Sequence, residues 1–268
     1  MRALLGIFRL LALILYTGTT FLIYFIVLLP LRLLRIPTEP WRNLFMRNWA
    51  RTVCFLFNIR VRLEGPVPKP PFFLVSNHLS YVDIVVLNRF LKTTFVAKQD
   101  VQSWPFLGFM VKMVGVIFVN RERRTDVARV NRLMSKSLNS RQGMILFPEG
   151  TSSAGREVLP FHSSLLQLPA TSGHPVHVAT LHYKTAPRDQ HALHSICFFG
   201  NRESFTTHVW KFAKTTRIDC TLRFHEETVC DTDRKLLAEK LRAQMISIFE
   251  PTSPQPGPEP NASSAEPA

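Results

Sequence analysis

The chain has 268 residues, 46% of them hydrophobic, with 33 Lys and Arg against 19 Asp and Glu, a formal net charge of +14. That length suits one large domain with an appendage, and that charge suits phosphate-bearing partners, whether nucleic acid, an anionic membrane surface or a phosphorylated substrate. Four dispersed cysteines, Cys54, Cys197, Cys220 and Cys230, form no CxxC pair, which excludes a disulfide framework and a zinc spacing and agrees with a reducing compartment.

The first predicted element is apolar. Residues 10–29 carry no charge, and as a helix they extend roughly 30 Å, enough to cross a hydrocarbon core. A cleaved signal peptide is the competing reading, but the stretch is long for one and no small-x-small site follows it. From residue 32 to residue 62 there are seven arginines and one acid, Glu39, against Arg2 and Arg9 before the apolar stretch. The positive-inside rule then puts the main body in the cytoplasm. Residues 41–59, "WRNLFMRNWARTVCFLFNI", break apolar and aromatic positions with Arg42, Arg47 and Arg51, as an interfacial amphipathic helix does, or equally a core-facing one. Residues 1–58 therefore read as a membrane-associated helical unit, either one span plus a surface helix or a hairpin dipping into one leaflet.

After a Pro-rich break, "EGPVPKPP", short apolar runs alternate with helical patterns: 72–76, 81–91, 93–98, 103–114, 115–120, 122–140 and 144–148. Further strands are expected at 175–183, 195–200 and 218–227, and a helix at 233–249. Strands alternating with helices predict an α/β domain over residues 59–249, with a mixed, largely parallel sheet flanked by helices. Residues 250–268 hold six prolines, no aromatic and no basic residue, so they read as a disordered tail. The sequon at Asn261 reads as chance on a cytosolic tail.

Three strand ends carry chemistry. His78 follows "FFLVSN", and Asp83 falls near the start of the next helix. Five residues apart on one helix the two side chains would diverge, so a strand-to-helix corner is what lets them meet. A carboxylate on one ring nitrogen fixes the tautomer and leaves the other nitrogen a general base; a solvated or structural histidine is the alternative. In "MILFPEGTSSAGR", Glu149 and Gly150 emerge from an apolar run at the kind of sheet edge where α/β proteins gather ligand groups, or form an ordinary turn. "GVIFVNRERR" ends a third strand on Arg121, whose guanidinium suits a bidentate grip on phosphate, or lies on a solvated charged face.

Together these segments resemble the 1-acylglycerol-3-phosphate acyltransferase family of lysophospholipid and glycerolipid acyltransferases. "NHLSYVD" (77–83) is similar to its NHxxxxD motif, "GVIFVNR" (115–121) to GxxFxxR and "FPEGTSS" (147–153) to FPEGT. The resemblance implies a glycerolphosphate acyltransferase-like fold and acyl transfer from acyl-CoA or acyl carrier protein to a lysolipid hydroxyl, without cofactor or metal. It implies His78 as base and Asp83 as its orienter, and Arg121, Glu149, Gly150 and Thr151 as the binders of the acceptor headgroup. It also implies membrane lipids as partners, no nucleic acid, and a membrane location with the site on the cytoplasmic face, the inner membrane if bacterial.

The chain departs from the family pattern after FPEG, where "LPFHSSLLQL" puts His162 and Ser163 behind Phe161, and at "HPVHVATL", where His177 replaces a central proline. The first resembles the branch acting on lyso-ornithine lipid, so that acceptor competes with 1-acylglycerol 3-phosphate. His174, His177, His182, His191 and His194 match no metal-ligand spacing, and a GxSxG elbow is missing from the sequence. From another class, a non-catalytic protein holding anionic lipid by charge alone remains the rival.

Overall fold

The computed structural model describes residues 1–98, 116–119, 126–200 and 203–253. Helix α1 (Arg2–Leu33) and helix α2 (Glu39–Leu56, with Pro40 in its first turn) form a hairpin ahead of the domain. Then follow β1 (Ile59–Glu64), β2 (Phe73–Ser76), α3 (Val82–Phe90), β3 (Thr93–Lys98), β4 (Ile117–Val119), α4 (Asp126–Ser137) and β5 (Gly143–Leu146). A 3-10 turn (Ser163–Leu166) leads into α5 (Gln167–Ser172), followed by β6 (Val176–Thr185), α6 (Ala192–Ser195), α7 (Phe205–Lys214), β7 (Ile218–Phe224) and α8 (Arg234–Ile248).

Among the described residues the strands form one seven-stranded sheet in the order β1-β7-β6-β2-β5-β3-β4. Every neighbouring pair is parallel except β6 with β7. The central strands β2 and β5 are buried throughout, as strands covered on both faces must be. Successive residues serve opposite layers. Leu74, Ile145, Leu181 and Tyr183 join a core with α2, α3, α6 and α7. Phe73, Val75, Met144, Leu146 and Val178 join a second core with α4, α5 and α8. The mixed sheet between helical layers is the predicted fold class.

Three local expectations change. Residues 59–64, given no strand in the sequence reading, form edge strand β1, pairing Ile59 with Ile218; the alternation of Ile59, Val61 and Leu63 with Arg60, Arg62 and Glu64 is the signal for it. Residues 195–200, expected as a strand, are the last residue of α6 and the loop that follows it. They are apolar because they cover the His78 corner: Ile196 and Cys197 are buried and the Phe198 amide donates to the Leu79 carbonyl at 2.9 Å. A short apolar run does not by itself distinguish such a cover from a strand. Packing also continues past the expected boundary at residue 249, because Thr252 and Ser253 are buried. The expected helix over 103–114 and the rest of the tail lie outside the described residues.

α1 is long and apolar enough to cross a membrane, yet its first turns are docked on the domain. Arg9, 4% exposed, donates to the Ala213 and Thr215 carbonyls at the end of α7, where the helix dipole favours a cation. Arg2 pairs with Asp189 at 3.5 Å. Gly6 faces the Trp210 ring so closely that a Cβ there would lie 3.0 Å from it. Further along, Phe21, Tyr24 and Leu28 meet Phe45 and Met46 of α2, and Trp41 and Trp49 donate to the Tyr24 carbonyl and the Thr17 hydroxyl. α2 is tied to the domain through Arg47 on the Phe90 carbonyl at 2.6 Å and Asn43 on the Arg141 carbonyl at 3.2 Å. The hairpin leaves Phe8, Leu11, Leu15, Leu22 and Ile26 of α1 and Phe55 of α2 exposed, an amount of open apolar surface that marks a membrane or partner contact.

Candidate active site

β2 stops at Ser76 while β6 runs on, and Asn77 fills the gap. Its amide oxygen accepts from the Leu181 N–H at 2.7 Å and its amide nitrogen donates to the Leu181 carbonyl at 3.0 Å, so one side chain continues the ladder. His78 follows at the turn. The Ser80 hydroxyl accepts from the Val82 N–H at 3.1 Å as α3 begins, and Asp83 lies in the first helical turn, where the dipole favours a carboxylate. Asp83 Oδ2 accepts from the Leu79 N–H at 2.6 Å, the Ser80 N–H at 2.9 Å and His78 Nδ1 at 2.8 Å, and Oδ1 accepts from the Tyr183 hydroxyl at 2.9 Å. A carboxylate only accepts, so Nδ1 carries the imidazole proton and Nε2 presents a lone pair. Asp83 is fully buried, whereas the His78 side chain keeps 23% of its exposure.

The loop after β5 closes over this corner. The Phe147 ring stacks on the His78 imidazole with centroids 4.1 Å apart and planes 20° from parallel. The Gly150 N–H donates to the Phe147 carbonyl at 3.1 Å, and the turn sets Gly150 at φ +76°, the left-handed region that suits glycine. The Ser153 N–H donates to the His78 carbonyl at 2.8 Å. Glu149, Gly150 and Thr151 therefore sit in a loop anchored to the His78 backbone, with Thr151 exposed.

Glu149 is 2% exposed, and among the described residues no group hydrogen-bonds its carboxyl oxygens within ordinary geometry. Burial first, then the charge of Asp83, pushes its carboxyl up to about 8, with the Leu159 amide and Arg242 opposing. Because the folded state holds this proton more tightly than the unfolded chain, Glu149 favours folding fully below its ordinary value of 4.5, and that contribution is lost as pH rises through about 8. Glu149→Gln should remove the dependence: between pH 5 and pH 9 the wild-type Tm is expected to fall by about 5 °C or more beyond the change in the variant. Parallel Tm curves for the two proteins would show that Glu149 is ionised in the fold.

Five of the six expected site residues thus meet at the carboxyl edge of β2 and β5: His78, Asp83, Glu149, Gly150 and Thr151. Arg121 lies outside the described residues. Asn77, Phe147 and Tyr183 belong to the same constellation without having been singled out. The first two stand inside the motifs, but Tyr183 is 100 residues from Asp83 and has no local signature. Of the scattered histidines, His182 Nδ1 meets the Glu250 carbonyl at 3.1 Å, and His174 and His177 lie edge-on to Phe73 and Phe72.

Residues 58–184 match the family model described as Acyltransferase. The chain is 28% identical over 213 residues to the 1-acyl-sn-glycerol-3-phosphate acyltransferase of Neisseria meningitidis, covering 77% of this chain and 81% of that protein. It is 36% identical over 151 residues to the lyso-ornithine lipid O-acyltransferase of Rhizobium meliloti, covering 55% of this chain and 51% of that one. In fold it is similar to the crystal structure of the 1-acyl-sn-glycerophosphate acyltransferase PlsC from Thermotoga maritima, with a TM-score of 0.61 at 21% identity over 91% of this chain and 93% of the other. The family match and these relatives make the chain an enzyme of the acyltransferase class. Over residues 58–184 the chain carries a domain of the Acyltransferase family, and it is similar to 1-acyl-sn-glycerol-3-phosphate acyltransferases.

Proposed function

We propose that the enzyme moves a fatty acyl group from a thioester, acyl-CoA or acyl carrier protein, to the free hydroxyl of 1-acyl-sn-glycerol 3-phosphate, giving phosphatidic acid. The observation that carries this reading is the 2.8 Å bond between His78 Nδ1 and the buried Asp83, which leaves Nε2 as the base. Nε2 takes the hydroxyl proton as the oxygen attacks the thioester carbonyl. The tetrahedral intermediate collapses, the C–S bond breaks, and the departing thiolate takes the proton from the imidazolium. The thiolate is a good leaving group, so the demanding part is making an alcohol nucleophilic beside the carbonyl. Arg121, Glu149, Gly150 and Thr151 bind the acceptor headgroup; a protonated Glu149 can donate to a phosphate oxygen without repelling it.

The docked ends of the helical hairpin favour insertion into one leaflet, with the exposed apolar side in lipid and the arginine-rich flanks and the domain on the cytoplasmic face. A second acceptor, lyso-ornithine lipid, is favoured by the similarity to the Rhizobium meliloti enzyme and by "LPFHSSL". The test is to incubate membranes containing the protein with labelled acyl-CoA or acyl carrier protein thioester against glycerol 3-phosphate, 1-acylglycerol 3-phosphate and lyso-ornithine lipid. Labelled phosphatidic acid is the expected product. Ornithine lipid alone would reassign the acceptor, and no lipid product with any pair would overturn the enzymatic reading of the site.

A further inference from the structure

Tyr183 stands on β6, outside all three motifs, and is fully buried. β6 runs on past the point where β2 stops, and two side chains take over the vacant hydrogen-bonding edge. Asn77 pairs with Leu181 in both directions, and the Thr252 hydroxyl accepts from the Tyr183 N–H at 3.1 Å. With its backbone held there, Tyr183 projects on the same face as Leu181 and reaches Asp83 Oδ1 at 2.9 Å from beneath the corner.

The two Asp83 oxygens are thereby divided. Oδ2 takes three donors, His78 Nδ1 and the Leu79 and Ser80 amides, while Tyr183 holds Oδ1. A carboxylate turns easily about its terminal torsion, whose wells are broad and nearly two-fold. Pinning the second oxygen fixes the plane, and with it the direction of the bond to His78. We propose that Tyr183 is a positioning residue of the acyl-transfer site, acting through Asp83 to hold the His78 imidazole in register and to draw charge off the carboxylate. This rests on the reading of His78 as the base. Burial and the charge of Asp83 raise the Tyr183 hydroxyl well above its ordinary value, so it remains a donor.

Among the described residues the titratable groups around the pair are Glu149 in the β5 loop, Cys197 after α6, Cys220 on β7, Cys54 on α2 and, beyond these, Arg89 on α3. Burial raises all three thiols, and Glu149 at about 8 titrates on the alkaline side. The acid limb of the pH–rate profile therefore reads the dyad.

Tyr183→Phe keeps the ring and removes the donor. Its kcat is expected to fall about tenfold, the worth of roughly one hydrogen bond to a charged group, with KM for the lysolipid within about twofold. Its acid limb should move to higher pH by about half a unit, because a carboxylate short of one donor stabilises the imidazolium more. In a His78→Ala background the same change should have no further effect. 3-Fluorotyrosine at position 183 retains the packing with a stronger donor and should move the limb to lower pH. It serves as well if Tyr183→Phe does not hold its fold.

A tyrosine that only fills the core predicts a lowered Tm, an unmoved limb and the same loss in both backgrounds; that result would overturn the proposal. The imidazole 15N signal of His78, assigned by its disappearance in His78→Ala, gives a readout without turnover. It should shift in Tyr183→Phe at fixed pH, and an unshifted signal would sink the proposal even if the wild type transferred no acyl group. Inactivity of the wild type would bear on the acyl-transfer reading alone.

Discussion

His78→Ala is expected to lower acyl transfer by roughly 10²-fold or more, the usual contribution of a positioned general base, while the protein is still recovered with membranes. The loss should fall on kcat, because Nε2 acts on the proton that moves in the transition state and the headgroup contacts are elsewhere. The fold should tolerate the change. Asp83 loses the His78 bond but keeps the Leu79 and Ser80 amides on Oδ2 and Tyr183 on Oδ1, so the buried carboxylate stays solvated by the protein, and the Phe147 stack at 4.1 Å is lost with the ring. Membrane recovery rests on the hairpin, which is tied to the domain through Arg9, Asn43 and Arg47. The comparison also separates an enzyme from a protein that only binds anionic lipid, since the second would lose nothing measurable. Undiminished transfer by purified His78→Ala protein would refute the base assignment.

The second large effect is expected at the carboxyl end of the described residues. A variant ending at Ser253 should match the full chain in Tm and activity, whereas one ending at Phe249 should lose both. The four residues between those ends bridge two parts of the site layer, the loop after β5 and strand β6. The Thr252 N–H donates to the Gly155 carbonyl at 2.8 Å, the Ser253 hydroxyl donates to the Ala154 carbonyl at 3.0 Å, and the Thr252 hydroxyl accepts from Tyr183. On the far side Glu250 meets Lys184 at 2.9 Å and its carbonyl meets His182. At about 1 kcal/mol for each buried hydrogen bond the segment contributes about 3–4 kcal/mol, which in a domain of this size is a drop of roughly 10 °C in Tm. Gly155, at φ +65°, shows how close the contact is: a Cβ there would lie 2.8 Å from Leu79 Cδ2 and 3.0 Å from Thr252 Cβ. The segment thus supports the loop that carries Glu149 and the corner that carries His78 together. Equal melting temperatures for the two truncations would refute this role.

Much of this was legible in the residues themselves. The alternation of short apolar runs with helical patterns yields the mixed, largely parallel sheet, because each run is long enough for one strand and each intervening segment for one crossover. His78, Asp83 and Glu149 are legible because each stands within a few residues of a strand end, where local order decides position. Residues 195–200 misled for a physical reason: burial selects apolar side chains, and the cover over Leu79 needs them as much as a strand does. Tyr183, Thr252 and Ser253 were out of reach of local reading. Thr252 and Ser253 share the proline-rich composition of the tail, and their burial depends on a groove built from Ala154, Gly155 and Tyr183 that exists only after folding. The rest of the tail and Arg121 lie outside the described residues.

The docking of Arg9 bears on the order in which the chain assembles. Its carbonyl partner at Ala213 lies 204 residues downstream, and at 5–20 residues per second a ribosome needs roughly 10–40 s to reach it. During that interval α1 has no Trp210 to cover Gly6 and no α7 end to receive the guanidinium, so the face that docks on the domain is open. The sheet waits as well, because edge strand β1 has no neighbour until β7 is made. Docking of α1 and closure of the sheet therefore come late and together, once the chain from α7 to β7 is made.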